Sequence, residues 1–445
     1  MDRDEILSLV ASKKTILSAP GTKLSSLYYN VMNASVDAVE ITYNTGRFQT
    51  SLSSLTFGSQ SQVILANSSF VDCVYIHFEL PNIWSNQTLS RGWGYALISQ
   101  LSFLFGSSNV SQLTINGQSL WHKVAMQCET AEKRSEMWRL GGEEYLTPVT
   151  KIDPVTGTAV RDPNAVLSAD VLLPLPWSSA SGLFNKKAFD TNLLQNPIQI
   201  QVQFNDATAV YGGITSVNPF PQGFSRAIML FRQGDLSSKS MSMRRELELN
   251  PDLSMFYPWI YSQSYQPTQF QGSNDPANPI TVPLLGFINA DLLAITIGVV
   301  RTSMLAPLPG QSPNAFQYDN IQNIVLEFNG TVMFAAPRSS WKLTTMKSTL
   351  GAQYFHNSLI QPTLAGIGPY ESVPQDAYLL HIDFSAIRST AFEGMMQNVW
   401  RIGNNTLSLR LNTEGDSTIR YQMFCTYHYN SVVQVQQGQT NVYFD

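Results

Sequence analysis

Charge is what this sequence has least of. Only 13% of its 445 residues are Asp, Glu, Lys or Arg, against about a quarter in an ordinary soluble domain. Coiled coils and long helical arrays are built on Glu, Lys and Arg, so both are excluded. A net charge of −5 excludes a protein that grips nucleic acid through a basic face. Short basic clusters, Lys133-Arg134 and Arg244-Arg245, stand among glutamates and read as solvated surface. No sequence-specific nucleic-acid partner is expected.

Cysteine is scarce as well. Cys73, Cys128 and Cys425 are an odd, widely spaced set, with no CxxC and no Cys/His cluster at zinc spacing. They read as reduced, buried thiols of a protein that folds in a reducing compartment. Long apolar runs are missing too. The nearest, Val282 to Val300, is interrupted by Pro283, Asn289 and Asp291. It reads as two buried strands around a turn rather than a membrane span. Met1 to Ala19 carries Asp2, Asp4 and Glu5 where a secretory signal has positive charge, and is expected to be no such signal.

Enzyme motifs are absent: there is no P-loop, dinucleotide fingerprint, GxSxG elbow or HExxH. Of the histidines, His77 and His381 lie opposite the apolar set of alternating segments. His381 with Asp383 would make half a metal or acid/base site, but no third group is placed beside them, so a solvated strand face is the reading. No enzyme activity, cofactor, metal or catalytic residue is expected. Sequons at Asn33, Asn67, Asn86, Asn109, Asn329 and Asn404 are what an Asn-, Ser- and Thr-rich chain gives by chance.

What is present is β-structure. Hydrophobic residues make up 43% and aromatics 11%, enough to bury large cores. Val74, Ile76, Phe78 and Leu80 alternate with Tyr75, His77 and Glu79. Ile198, Ile200, Val202 and Phe204 alternate with glutamines, and Leu407, Leu409 and Leu411 with Ser408 and Arg410. Period-two alternation predicts strands with one wet face. Helix candidates are few: Asp4 to Leu17, with acids early and Lys13-Lys14 late, and Lys123 to Leu140.

An internal repeat organises the chain. Leu113 to Ile115 runs into Asn116-Gly117, as Leu326 to Phe328 runs into Asn329-Gly330. Asp170 precedes an apolar stretch, as Asp376 does, and an alternating strand ends at Phe204-Asn205 as another does at Leu411-Asn412. All three landmarks are offset by about 210 residues, too long for a propeller blade and right for duplicated sandwiches. The expected division is an N-terminal helical arm over 1–22, one β domain over 23–214 and a second over 215–445, with the junction in the Gly/Pro-rich stretch Gly212 to Gly223. The polar stretches Gly141 to Asn164, Ser262 to Pro279 and Ala306 to Asp319 read as long loops.

With these residues in place, the chain resembles the double jelly-roll major capsid proteins of large and medium icosahedral double-stranded DNA viruses. The resemblance is carried by Arg91 to Ile98, read as a Gly-x-Ala-Leu-Ile-like strand, and by Leu113 to Gln118. It continues through Leu172 to Trp177, whose Leu175-Pro176-Trp177 matches the family's Pro-Leu-Pro-aromatic segment, and Leu193 to Phe204. In the second half it follows Leu326 to Gly330, Phe334, Arg338, Tyr378 to Ser385 and Asn398 to Ile402. Asn116 stands where relatives more often have Gly, and Ser178-Ser179 where many have aromatic residues and a Cys. The resemblance implies two eight-stranded jelly rolls, a homotrimeric capsomer, and a virion shell assembled in the host cytoplasm. Minor capsid and penton proteins would be its partners. Residues 1–19 are expected to dock on a neighbour, on an inner membrane surface or on their own domain. Two other readings compete: a tandem β-sandwich glycan-binding or attachment protein, and a glycan-hydrolysing sandwich whose paired carboxylates the sequence does not place.

Overall fold

Where apolar and polar residues alternate, the chain is strand. Within Phe70–Trp84, Val74, Ile76, Phe78 and Leu80 are buried and Tyr75, His77 and Glu79 half-buried. Ile198, Ile200, Val202 and Phe204 are buried along Ile198–Phe204, and Leu407, Leu409 and Leu411 along Leu407–Thr413. The computed structural model describes residues 16–18, 29–30, 41–47, 56–65, 70–84, 88–89, 93–104, 112–115, 140–142, 150–162, 165–175, 189–207, 211–212, 223–234, 249, 254–264, 267–284, 292–305, 321–337, 380–383 and 406–444.

Eight strands of the first half are β1 (Ile41–Arg47), β2 (Gln60–Leu65), β3 (Phe70–Trp84), β4 (Ile98–Leu104), β5 (Gln112–Ile115), β6 (Val166–Leu175), β7 (Ile198–Phe204) and β8 (Arg226–Gly234). Eight of the second are β9 (Ser254–Ser264), β10 (Ile280–Leu284), β11 (Leu292–Arg301), β12 (Ile321–Phe328), β13 (Thr331–Pro337), β14 (Leu380–Asp383), β15 (Leu407–Thr413) and β16 (Arg420–Gln436). The first set forms sheets in the order β6-β3-β8-β1 and β2-β7-β4-β5; the second forms β14-β11-β16-β9 and β10-β15-β12-β13. Adding eight to each number turns the first pair of sheets into the second. In each half the chain switches repeatedly between two antiparallel sheets, which is jelly-roll wrapping. The stretch Val282 to Val300 splits as expected: β10 lies in one sheet of its jelly roll and β11 in the other.

The first core lies between its sheets. Phe78 and Phe204 come from facing sheets and meet Phe224, at ring-centroid distances of 5.3 and 4.8 Å. Phe57 joins at 5.1 Å and Trp93 packs edge-on against Phe78 at 6.1 Å, closing one end of the sandwich. In the second half, Tyr421, Met423, Cys425, Tyr427 and Tyr429 of β16 are buried with Ile295, Ile297, Val299, Ile324 and Leu326.

Four expectations need correction. First, β8 lies beyond the division expected at 214/215 and pairs with β3 and β1 of the first jelly roll. The Gly/Pro-rich stretch before it is a connection within that jelly roll. Second, the repeat landmark at Asn116-Gly117 follows β5, whereas Asn329-Gly330 follows β12, whose counterpart is β4. An apolar strand ending in Asn-Gly is a local turn signal and does not mark equivalent strands. The other two landmarks fall on true counterparts, β6 with β14 and β7 with β15. Third, Gly94 to Leu97 is not strand: Trp93–Ala96 is a buried helical turn, and the strand starts at Ile98. Fourth, the expected N-terminal helix does not run through Leu17, because Ile16–Ser18 is a strand paired with Ser254 to Phe256 of β9. Residues 1–15 lie outside the described residues, as does the helix expected over Lys123 to Leu140 except for Leu140 itself.

The N-terminal strand also ties the halves together. Ile16–Ser18 lies at the β9 edge of the second jelly roll, with Tyr29–Asn30 outside it. The chain then enters the first jelly roll at β1. At the other terminus, Gln437 and Gly438 turn the chain at φ 50° and 77° into Gln439–Phe444, which pairs with β16. The Gly438 carbonyl accepts a hydrogen bond from the Gln195 backbone N–H of the first half at 2.9 Å. β5 of the first jelly roll also packs against β9 of the second.

Candidate functional site

Asn329 and Gly330 turn β12 into β13 with φ of 49° and 76°, the left-handed pair that a two-residue hairpin needs. Asn329 does more than turn. Its N–H donates to the Thr406 carbonyl at 2.9 Å and its Oδ1 accepts from the Thr406 N–H at 2.9 Å, so the turn is laced to the start of β15. The companion residues Asn116 and Gly117 lie outside the described residues. Of the Leu175-Pro176-Trp177 motif, Leu175 is buried at the end of β6 opposite Val74, and Pro176 and Trp177 lie outside the described residues.

The strand-ending asparagines of the repeat both hold loops. Asn205 donates from Nδ2 to the Ala96 carbonyl at 2.6 Å, and Asn412 to the Asp275 carbonyl at 2.8 Å. The stretch expected as a loop over Ser262 to Pro279 is partly strand: Ser262–Ser264 ends β9, and Thr268–Gln271 pairs with the start of β16. Its remainder is fixed to β15 through Ser273 N–H donating to Thr413 Oγ1 at 3.0 Å and Thr413 N–H donating to the Ser273 carbonyl at 2.8 Å. Ala306 to Asp319 lies outside the described residues.

The stretch expected as a loop over Gly141 to Asn164 is anchored by tryptophan. Trp93 Nε1–H donates to the Gly142 carbonyl at 2.8 Å inside the protein. Gly142, at φ 98°, lies where a Cβ would sit 2.5 Å from the indole. Further on, Thr150–Ile152 and Ala159–Arg161 form a hairpin. The Val155 N–H and then the Thr156 hydroxyl hold the Asp153 carboxyl below its ordinary value. This fixes the hairpin tip, where Val155 is 89% exposed and Ile152 is also exposed. A structured knob of this kind suits contact with another molecule better than a plain connection does.

Two polar groupings escaped sequence reasoning. His428 is buried on β16 between Ser262 Oγ at 2.9 Å from Nδ1 and Thr296 Oγ1 at 3.0 Å from Nε2, a bridge across β9, β16 and β11. These residues face away from the core tyrosines of β16 yet are buried, so this sheet is covered on both faces here. The second grouping is on the outer face of the first jelly roll, where His77 contacts Asp170 beside Glu79 and Arg226. His77 carries the expected strand-surface position, but its partner is far along the chain and no local signal announces it. His381 and Asp383 lie on β14, in register with Thr296 and Ala294. Cys425 is free and buried; Cys128 lies outside the described residues.

Two eight-stranded jelly rolls of identical order, in one chain, define a double jelly-roll protein. Solved structures agree across nearly the whole chain. The PBCV-1 virus capsid protein aligns over 91% of this chain and 97% of its own, at TM-score 0.57 and 11% identity. The mavirus major capsid protein aligns over 91% and 90%, at TM-score 0.51 and 12% identity. The Faustovirus major capsid protein aligns over 89% and 90%, at TM-score 0.51 and 9% identity. No family model and no curated protein matches the sequence.

Proposed function

We propose that this chain is the major structural subunit of an icosahedral viral capsid, acting as a homotrimeric capsomer. The observation that carries this reading is the duplication itself. Both jelly rolls keep all eight strands in one order, and together these strands run from Ile41 to Gln436. Three such chains around an axis place six similar sandwiches on a rough hexagon, an outline that tiles a shell. The solved proteins with this fold named above are viral capsid components. A chain with only 13% charged residues suits extensive permanent contacts, whose cores are depleted of charged residues.

In this reading the protein is structural, not an enzyme, and works in the virion after assembly in the host cytoplasm. Its further partners are minor capsid and penton proteins. Any contact with an inner membrane falls to residues before Ile16, because Ile16–Ser18 is engaged as a strand. The division between the two jelly rolls lies between Gly234 and Ser254, after β8 and before β9. The exposed hairpin Thr150 to Arg161 belongs to a contact between subunits or capsomers. Electron microscopy of the purified protein tests the proposal. Trimeric particles of pseudo-hexagonal outline are expected, and uniform monomers would count against it.

A further inference from the structure

The outer face of the first jelly roll carries a cluster of one imidazole and two carboxylates. β6 and β3 are antiparallel neighbours with Asp170 directly opposite Glu79 and Leu172 opposite His77. Side chains two residues apart on a strand share a face, so His77, Glu79 and Asp170 project together, away from the core residues Ile76, Phe78 and Leu80. Like charges directly opposite each other in a sheet are destabilising unless a cation stands between them. Arg226, opposite Glu79 on β8, supplies one at 3.6 Å.

His77 Nε2 is aimed at Asp170 Oδ1, and one ligand atom from each of His77, Glu79 and Asp170 lies within 4.8 Å of the others. We propose that these three side chains bind a divalent transition-metal ion of the zinc class. One imidazole nitrogen and two carboxylate oxygens suit such an ion, whereas calcium and magnesium prefer ligand sets made of oxygen alone. Bonds of about 2.0–2.2 Å to zinc bring neighbouring ligand atoms to roughly 3.3 Å apart. Side-chain rotation achieves that here, because the sheet already fixes the three Cα positions. Water completes the coordination, since Asp170 is largely exposed and His77 and Glu79 are partly so.

The ion has a structural consequence. Among the described residues β6 is the edge strand of its sheet, and two of the ligands are on β3 while the third is on β6. The metal therefore pins an edge strand to its one neighbour among the described residues, at the strand most open to fraying or to pairing with another chain.

The test is calorimetric titration of zinc chloride into the full-length protein after chelator treatment, with thermal unfolding alongside. One ion per chain, binding in the micromolar range or tighter, and a rise in melting temperature are expected. His77→Gln and Asp170→Asn should each weaken binding by about tenfold or more and abolish the thermal shift. Both residues project from the outer face, so the variants keep the core intact; far-ultraviolet circular dichroism checks that they do. Absence of zinc binding, or equal binding in both variants, overturns the site. Calcium binding as tightly as zinc overturns the assignment to the zinc class.

Discussion

At the scale of single residues, the most exacting position is Gly142. Its φ of 98° disfavours any side chain, and a Cβ would overlap the Trp93 ring. Gly142→Ala should cost about 2–4 kcal/mol, from left-handed strain plus overpacking. Gly157 has φ 66° but open space around its Cβ position, so Gly157→Ala should cost only about 1 kcal/mol. Urea unfolding of the two variants measures the difference directly. A Gly142→Ala variant as stable as the Gly157→Ala variant would contradict the docking of Trp93 on this backbone.

Cys425 gives a pH-dependent prediction. Burial pushes its thiol up to about 12 from an ordinary 9.0. The folded state thus binds a proton that the unfolded state gives up first. Its contribution is fully present below about pH 9 and is lost as pH rises toward 12, by up to about 1.4 kcal/mol per pH unit in that window. Unfolding free energies of the native sequence and Cys425→Ala should converge or cross between pH 9 and 11 by a steeper loss in the native sequence. Parallel pH profiles would show that the thiol is not held this way. At pH 8, Cys425 should also resist alkylation until the chain unfolds.

At the scale of elements, the N-terminal strand is the least local feature of the fold. Ile16–Ser18 covers the β9 edge of the second jelly roll before the chain builds the first. Leu17 pairs with Met255, so Leu17→Pro removes a ladder donor and bends the strap away. Both jelly rolls should stay folded, with the melting temperature a few degrees lower and faster hydrogen exchange along β9. Unchanged exchange at β9 would contradict the pairing. At the opposite end, Gly438→Ala meets the Gln195 side chain at a φ of 77°. It should cost about 1–3 kcal/mol and loosen the contact between the halves, read as increased exchange at Gln195.

Much of this was legible in the residues and some could not have been. Alternation in β3, β7 and β15 is local, because the two faces of a strand see different solvents, and so both cores were readable. The turn at Asn329-Gly330 was readable because left-handed backbone selects those residues. Three-residue pairing between Ile16–Ser18 and β9 leaves no periodic trace, since its partner is distant in the chain. The domain division was misplaced because Gly and Pro mark a turn within a jelly roll as readily as a linker between two. The grouping of His77 with Asp170 depends on the register of β3 against β6, which alternation does not set. Only Leu175 of the aromatic motif is among the described residues, and its burial follows from its place in the strand.

At the scale of the whole molecule, one architecture used twice is the governing fact. Two sandwiches held by an N-terminal strand, a C-terminal turn and the packing of β5 on β9 make a double unit. Three double units closed around an axis satisfy both the preference of homo-oligomers for cyclic symmetry and the outline a shell needs. Light scattering coupled to size exclusion tests this most directly. A particle of three times 49.5 kDa is expected, persisting on dilution to the micromolar range. A stable monomer across all ionic conditions would contradict the capsomer and leave a tandem β-sandwich binding protein as the reading to pursue.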